Sequence, residues 1–181
     1  MDIDAILGII NDEYLFSFEQ TKRMDPPALQ SAVDAGEQQI EYEIGADENE
    51  EGKIRLSWGR VIGTYAEREK LTAMQILSDV LTGNNQAPLT KAVLEDGLAE
   101  TMRLYTIDGV ANPWVKIEAR NVKKENCKQV EARIFDTLNT LANGGLDHEK
   151  LEASMANLEF QMRERDYGSY PQVGGQAVLG R

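Results

Sequence analysis

The hydrophobic positions of the chain change period several times, and each change predicts a new element. Residues 3–19 carry apolar side chains interrupted by acids and predict an amphipathic helix that ends near Thr21. Residues 38–44 (QQIEYEI) and 53–63 (KIRLSWGRVIG) alternate apolar with polar positions, which is typical of half-buried strands. The loop between these two segments predicts that they are neighbours in an antiparallel sheet.

Four more helices and a second strand pair are predicted downstream. Helical spacing over residues 65–81 ends at Gly83, and a short helix that begins at Pro88 ends at Gly97. Residues 98–107 and 114–120 predict two strands joined around Asp108-Gly109. Two long helices follow, the first with Val130, Ile134, Leu138 and Leu141, and the second with Leu151, Met155, Leu158 and Met162, running to about Asp166.

This order of elements predicts an α+β fold in which helices pack on one face of an antiparallel sheet. A length of 181 residues with 41% hydrophobic and 28% charged residues indicates one globular domain with a real core. We assign residues 1–172 to that domain and residues 173–181 (VGGQAVLGR) to an atypical tail.

Charge and composition narrow the possible partners. A net charge of −12 and a pI near 4.6 argue against a nucleic-acid partner, which requires a basic patch. The sequence lacks an apolar run long enough to span a membrane and the basic start of a signal peptide. The single cysteine permits no internal disulfide and fits a reducing compartment. We therefore predict a cytoplasmic protein with neither a nucleic-acid nor a membrane partner.

Residues 146–152 (LDHEKLE) contain the only histidine, His148, and differ by one residue from the zinc-protease motif H-E-x-x-H. Glu152 stands where the second histidine would fall. Catalytic zinc usually takes three protein ligands, and the chain offers one imidazole and one thiol. We therefore predict that Asp147 caps a helix here and that the chain has no metal-binding, cofactor-binding or catalytic residues of its own.

Two other groups could carry chemistry. Cys127 and His148 could form a nucleophile–base pair, but Cys127 lies at helical spacing with Val130 and Ile134, which favours a core thiol. The segment RERDYGSYP (163–171) offers arginines and tyrosines that could bind a carboxylate. Cations near the end of a helix are also common for electrostatic reasons, and that reading is the preferred one.

Several phrases in one order resemble the insulinase/pitrilysin clan of zinc peptidases, in the branch of the presequence peptidases. The phrases are INDEYLFSFE (10–19), KIRLSWGRVIG (53–63), LTGNNQAPLTKAVLEDGLAE (81–100) and NGGLDHEKLEASMANLEFQMRERDYGSYPQ (143–172). The resemblance implies a LuxS/insulinase-like metallopeptidase domain, specifically part of the non-catalytic second of four homologous domains. Zinc would belong to the full-length enzyme, held by the motif H-x-x-E-H and a downstream glutamate of the first domain, with the remaining domains and an unfolded peptide substrate as partners.

The resemblance also implies a truncated domain, because the opening elements of a second domain and the helices after Gln172 are missing. The family's substrate-contacting arginine and tyrosine belong to another domain. Arg163 and Tyr170 occupy a similar helix-end position and are the candidate contacts for peptide or a neighbouring domain.

We therefore expect a non-catalytic fragment of a zinc metalloendopeptidase that provides scaffold and peptide-chamber wall. One alternative is a partner subunit for a separate catalytic chain. A second is a weak hydrolase that uses His148 with carboxylates. Exposed apolar surface would also allow self-association.

Overall fold

The computed structural model describes residues 2–19, 21–22, 24–25 and 28–163. Its α-helices and strands, in chain order, are α1 (Ile3–Ile9), β1 (Ile54–Val61), α2 (Arg68–Thr82), α3 (Pro88–Leu94), β2 (Thr101–Ile107), β3 (Trp114–Val122), α4 (Cys127–Gly144) and α5 (His148–Arg163). A π-helical turn (Ile10–Tyr14) and two 3₁₀ turns (Leu15–Ser17 and Lys124–Asn126) complete the regular structure in this part of the chain. Within it, no helix is long and apolar enough to cross a membrane.

The three described strands form an antiparallel sheet in the order β1-β3-β2. The central strand β3 sets Leu56 opposite Ala119 and Trp58 opposite Ile117, and it sets Leu104 of β2 opposite the same Ile117. Because side chains alternate along a strand, these residues all point to one face of the sheet. The predicted pairing of β2 with β3 is confirmed.

A bulge lets one more core residue join that face. The register between β1 and β3 shifts between Ile54 and Arg55, and Asn121 takes the extra position with a φ of 57°. Asparagine tolerates this left-handed conformation better than most residues. The shift returns Val122 to the core side, where it is fully buried.

Helices α2, α3 and α4 cover the core face of the sheet. The fully buried side chains include Leu89 and Val93 of α3 and Val130 and Ile134 of α4, which cluster with residues of β2 and β3. The Phe135 ring meets Trp58 edge-on with ring centroids 5.9 Å apart. The predicted α+β architecture, with helices on one face of the sheet, is confirmed.

The outer edge of β2 is closed by α2. The Thr82 hydroxyl accepts a hydrogen bond from the Leu104 amide at 3.0 Å and lies 3.4 Å from the Leu104 carbonyl oxygen. A side chain therefore occupies a position where a fourth strand would otherwise bond. The segment between α2 and α3 is the predicted helix-to-helix connection.

Helix α5 packs on α2 through polar groups. The Ser154 hydroxyl is buried and donates to the Asp79 carboxylate at 2.6 Å. Met155 and Met162, on the predicted apolar stripe of α5, stay largely exposed. The predicted helix is observed, but polar positions of α5 make part of its contact with α2 and these two methionines face solvent. The predicted helix end near Asp166 lies outside the described residues.

The structure of the described residues before Lys53 differs from the predicted one. The predicted helix over residues 3–19 divides into α1, the π-helical turn and a 3₁₀ turn that ends at Ser17. None of its described residues is buried. An amphipathic helix draws most of its stability from tertiary packing, and this segment lacks such packing in the described structure. We call residues 2–52 the acidic arm.

The strand predicted over residues 38–44 is absent, and that prediction is wrong. The segment has no regular structure, and Ile40 is 72% exposed. The ladder partner of β1 is β3, some 60 residues farther on, instead of the preceding segment. Contact with β1 comes through Tyr42, whose hydroxyl donates to the Lys53 carbonyl and whose ring lies 4.6 Å from the Arg55 guanidinium carbon. Alternation alone does not form a strand without a ladder of backbone hydrogen bonds.

Candidate functional site

The segment around His148 forms the start of α5. The Asp147 carboxylate accepts hydrogen bonds from the amides of Glu149 at 3.0 Å and Lys150 at 3.3 Å. This confirms the predicted cap, which satisfies amides that have no partner inside the helix. The His148 side chain is 80% exposed, and its Nδ1 lies 3.4 Å from Glu152 Oε1, one turn along.

These side chains do not fit a catalytic zinc ion. His148 and Glu152 supply two donors, whereas catalytic sites usually use three protein ligands in a shaped cavity. In the described ranges, no three His, Cys, Asp or Glu side chains converge on one point. Cys127 contacts the core at the start of α4, and burial raises the pKa of its thiol. The thiol is 3.6 Å from the Lys123 carbonyl oxygen, so its recorded partner is a backbone group rather than His148.

Arg163 lies at the last described position of α5. Its guanidinium pairs with Glu159 at 2.5 Å, one turn earlier, and stays largely exposed. Tyr170 lies outside the described residues, so the joint role predicted for Arg163 and Tyr170 stays a prediction. The charge at this helix end also matches the favourable interaction of cations with a helix C-terminus.

A shallow apolar groove of about 560 Å³ runs between α2 and α5 and ends at Arg163. Its apolar lining consists of Ile76 from α2 and Met155, Ala156, Leu158 and Met162 from α5. This groove holds the part of the α5 stripe that the contact with α2 leaves uncovered. It is a surface on which another polypeptide could pack.

The second face of the sheet, which we call the open face, centres on Glu118 of β3. Glu118 is 4% exposed although it points away from the helices. Lys116 Nζ donates to its Oε1 at 2.8 Å, and the Nε and Nη2 atoms of Arg120 approach its Oε2 at 2.7 Å. The carboxylate is therefore covered by its own strand neighbours two residues away.

The protonation state of Glu118 follows from these contacts. Burial acts to raise the pKa of the carboxyl, but the hydrogen bonds from Lys116 and Arg120 outweigh it, and the net pKa lies below the usual 4.5. The same hydrogen bond to Glu118 raises the pKa of Lys116 above 10.5. Glu118 is thus an anion held between two cations at neutral pH.

Charge is divided sharply along the chain. Residues 1–52 contain 14 acidic and two basic residues, whereas residues 53–181 contain 17 of each, so the whole net charge of −12 falls on the first 52 residues. The open face has the opposite sign, with Arg55, Arg103, Lys116 and Arg120 around the single carboxylate of Glu118. The sheet therefore presents a cationic surface in an acidic protein.

The strand predicted over residues 114–120 contains Lys116, Glu118 and Arg120, and the sequence alone assigned them no function. The spacing of opposite charges at i and i+2 on one strand was the available signal, since such residues share a face. Arg103 lies on the strand predicted to pair with this one, whereas Arg55 could not be placed beside them without the pairing of β1 with β3.

Comparison with known families shows to which protein family the chain belongs. Residues 1–158 match the family described as the Peptidase M16 inactive domain. The chain belongs to this family. The predicted resemblance to zinc peptidases of the presequence-peptidase branch is therefore confirmed.

Curated relatives of this M16 inactive domain include much longer proteins. It is 31% identical to Protein HypA of Clostridium perfringens over 172 residues, which cover 94% of this chain and 18% of HypA. It is 38% identical to presequence protease 1, chloroplastic/mitochondrial, of Arabidopsis thaliana over 100 residues, 55% of this chain and 9% of that protein. The chain thus spans less than a fifth of the length of either relative.

Solved structures show the same fold. The inactive peptidase domain of a candidate zinc protease from Bordetella parapertussis superposes with a TM-score of 0.60 at 14% identity, over 75% of this chain and 74% of that chain. A candidate zinc protease from Bordetella pertussis superposes with a TM-score of 0.52, also at 14% identity, over 62% and 63%. At this identity the likeness concerns the fold alone.

Proposed function

We propose that this M16 inactive domain is a non-catalytic structural part of a presequence-peptidase-like zinc metalloendopeptidase. The match of residues 1–158 to an inactive peptidase domain carries the proposal. Two of the relatives are named presequence proteases and are several times longer than this chain. In this proposal zinc and peptide cleavage belong to other domains of the enzyme, and this chain contributes scaffold.

The open face is the part we assign to the wall of the peptide chamber. Helices cover the opposite side of the sheet, so the open face is the side available to a bound peptide. The groove between α2 and α5 lies on the helical side and suits a neighbouring domain instead. The proposed cytoplasmic location follows from the sequence composition.

The test is co-expression of this chain with a presequence-protease relative from which the segment matching this chain has been deleted. We expect the two to copurify in equal amounts and to cleave an unfolded peptide, with zinc bound by the H-x-x-E-H motif of the relative. The chain alone should bind far less than one zinc per molecule and cleave nothing. Stoichiometric zinc and peptidase activity in the isolated chain would overturn the proposal.

A second candidate is a partner subunit that joins a separate catalytic chain. The exposed apolar side chains of the acidic arm favour it, because large exposed apolar patches usually mark interaction sites. Reading the coding sequence on both sides separates the two. An upstream H-x-x-E-H in the same frame favours one continuous peptidase, whereas independent start and stop signals favour a subunit.

The third possibility, a weak hydrolase that uses His148, has little support from the geometry. His148 contacts one carboxylate on an open helix surface, where nothing excludes water. If the isolated chain hydrolyses a peptide, His148→Ala should abolish that activity. Retained activity would remove this possibility.

A further inference from the structure

The open face has an excess of positive charge that the described structure does not neutralise. The two Glu118 oxygens are taken by Lys116 and Arg120. Arg55 and Arg103 form no salt bridge with any described carboxylate, and both are exposed. Four cations thus share one anion on adjacent strands.

One cross-strand pair on the open face joins two like charges, because Arg55 of β1 lies directly opposite Arg120 of β3. Arg103 of β2 lies directly opposite Glu118, whose two oxygens already accept from Lys116 and Arg120. Like charges placed opposite each other across two strands destabilise a sheet. A second carboxylate near Arg55 and Arg120 would relieve this repulsion, and one at Arg103 would supply the ion pair that this guanidinium lacks among the described residues.

The other end of the open face is aromatic. The Trp114 ring lies over Gly59, where an added Cβ would meet ring carbons at 3.4 Å. Tyr105 lies next to Lys116, with the ammonium 5.9 Å from the ring centroid. Val61, opposite Trp114, is largely exposed. The face therefore offers a cationic end and an apolar end along one strand direction.

We propose that the open face binds an extended polypeptide segment whose carboxylate side chains lie at Arg55 and Arg103 and whose apolar side chains lie on Trp114 and Tyr105. The segment belongs to an acidic unfolded peptide. Guanidinium groups match carboxylates in geometry as well as charge. The inference rests on the proposed chamber wall, and it adds the class of peptide that this wall prefers.

The acidic arm touches the open face at Arg55, whose guanidinium carbon lies 4.6 Å from the centroid of the Tyr42 ring. Its hydrogen bonds, ion pairs and cation–π contacts with residues 53–163 join Gln30 to Asn112, Tyr42 to Lys53 and Arg55, Glu48 and Glu50 to Lys53, and Glu51 to Lys123. None of these brings an arm carboxylate to Arg103, Lys116 or Arg120. The Arg103 guanidinium therefore remains available to a separate peptide, and Arg55 keeps its charge without a described carboxylate partner.

The test uses the 181-residue chain and two labelled peptides of equal length that share apolar residues and carry either glutamates or lysines. Fluorescence anisotropy should give roughly tenfold tighter binding for the acidic peptide, and the preference should shrink as salt is added. Arg103→Gln should weaken binding of the acidic peptide by about fivefold. Lys91→Gln, which removes the same charge from α3, should change it less than about twofold.

Equal affinity for both peptides would overturn the proposal, as would a preference for the lysine peptide. The same holds if Arg103→Gln and Lys91→Gln behave alike. Circular dichroism and thermal melting of both variants show whether the fold is kept, and Arg55→Gln provides a second variant on another strand. Copurification with the deletion variant of the relative is measured separately, so loss of peptide preference with intact assembly refutes this inference alone.

Discussion

The Glu118 carboxylate provides a quantitative test of the open face. Glu118→Gln keeps the shape of the side chain but removes the charge between Lys116 and Arg120. The wild-type carboxylate accepts contacts of 2.7 to 2.8 Å from both cations, while its own side chain is 5% exposed. The substitution leaves two neighbouring cations without their anion.

The expected cost lies between two known limits. Breaking a fully buried ion pair costs about 3–5 kcal/mol, and an exposed pair contributes about 0–1 kcal/mol. Lys116 and Arg120 remain 24% and 40% exposed, so both can regain water after the substitution. We therefore expect a loss of about 2 kcal/mol in the free energy of unfolding. For a chain of this size, that lowers the melting temperature by about 4–8 °C.

The pH dependence of thermal unfolding shows whether the loss of stability comes from the charge of Glu118. The pKa of Glu118 is lower in the folded state than the usual 4.5, so the unfolded state binds the proton more readily. The stabilisation by Glu118 is therefore complete above about pH 4.5 and is lost as pH falls through the folded pKa. Melts of wild type and Glu118→Gln should differ most near neutral pH and converge in acid.

Glu95→Gln is the matched control, because Glu95 forms an exposed pair with Lys91 on α3. It should change the free energy of unfolding by less than about 0.5 kcal/mol. If Glu118→Gln resembles this control, or if its effect persists unchanged in acid, the argument from the buried carboxylate is refuted.

Three further predictions concern the core and its edges. Thr82→Val should cost about 1–3 kcal/mol, because it leaves the Leu104 amide without its acceptor, while Thr82→Ser should be much milder; urea denaturation checks both. Ile134→Ala should cost about 2–5 kcal/mol and Ile134→Val about 0.5–1.5, since Ile134 is fully buried, and equal costs would contradict that packing. Cys127 should react with a disulfide reagent more slowly than free cysteine near pH 8 and reach the free rate in denaturant, because burial raises its pKa.

Helices with clean spacing and clear ends could be predicted from sequence. The α4 stripe of Val130 and Ile134 lies in the core as expected, and the helix ends at Gly144 before Gly145, whose φ is 83°. The start of α5 at His148 follows from the Asp147 cap. These features depend on interactions within a few residues, which local sequence determines.

The partners of the strands could not be predicted in the same way. Alternation in residues 38–44 and in β1 indicates which side chains share a face, but it does not choose the neighbouring strand. The observed neighbour of β1 is β3, which the chain reaches only after two helices and β2. The contribution of β1 to the open face depends on that pairing, so the position of Arg55 beside Arg120 lay beyond sequence reasoning.

The hydroxyl of Thr82 has a consequence for how copies of this sheet can meet. It closes the β2 edge of the sheet. At the opposite edge, β1 has no further strand beside it in the described structure, and this edge carries the basic residues Lys53, Arg55 and Arg60. A fibre of edge-to-edge copies needs two free edges on each copy, one for each neighbour. With one edge closed, pairing through β1 can only join two copies edge to edge about a twofold axis, and growth then stops. We therefore expect this sheet to resist runaway fibre formation even where its charges are screened.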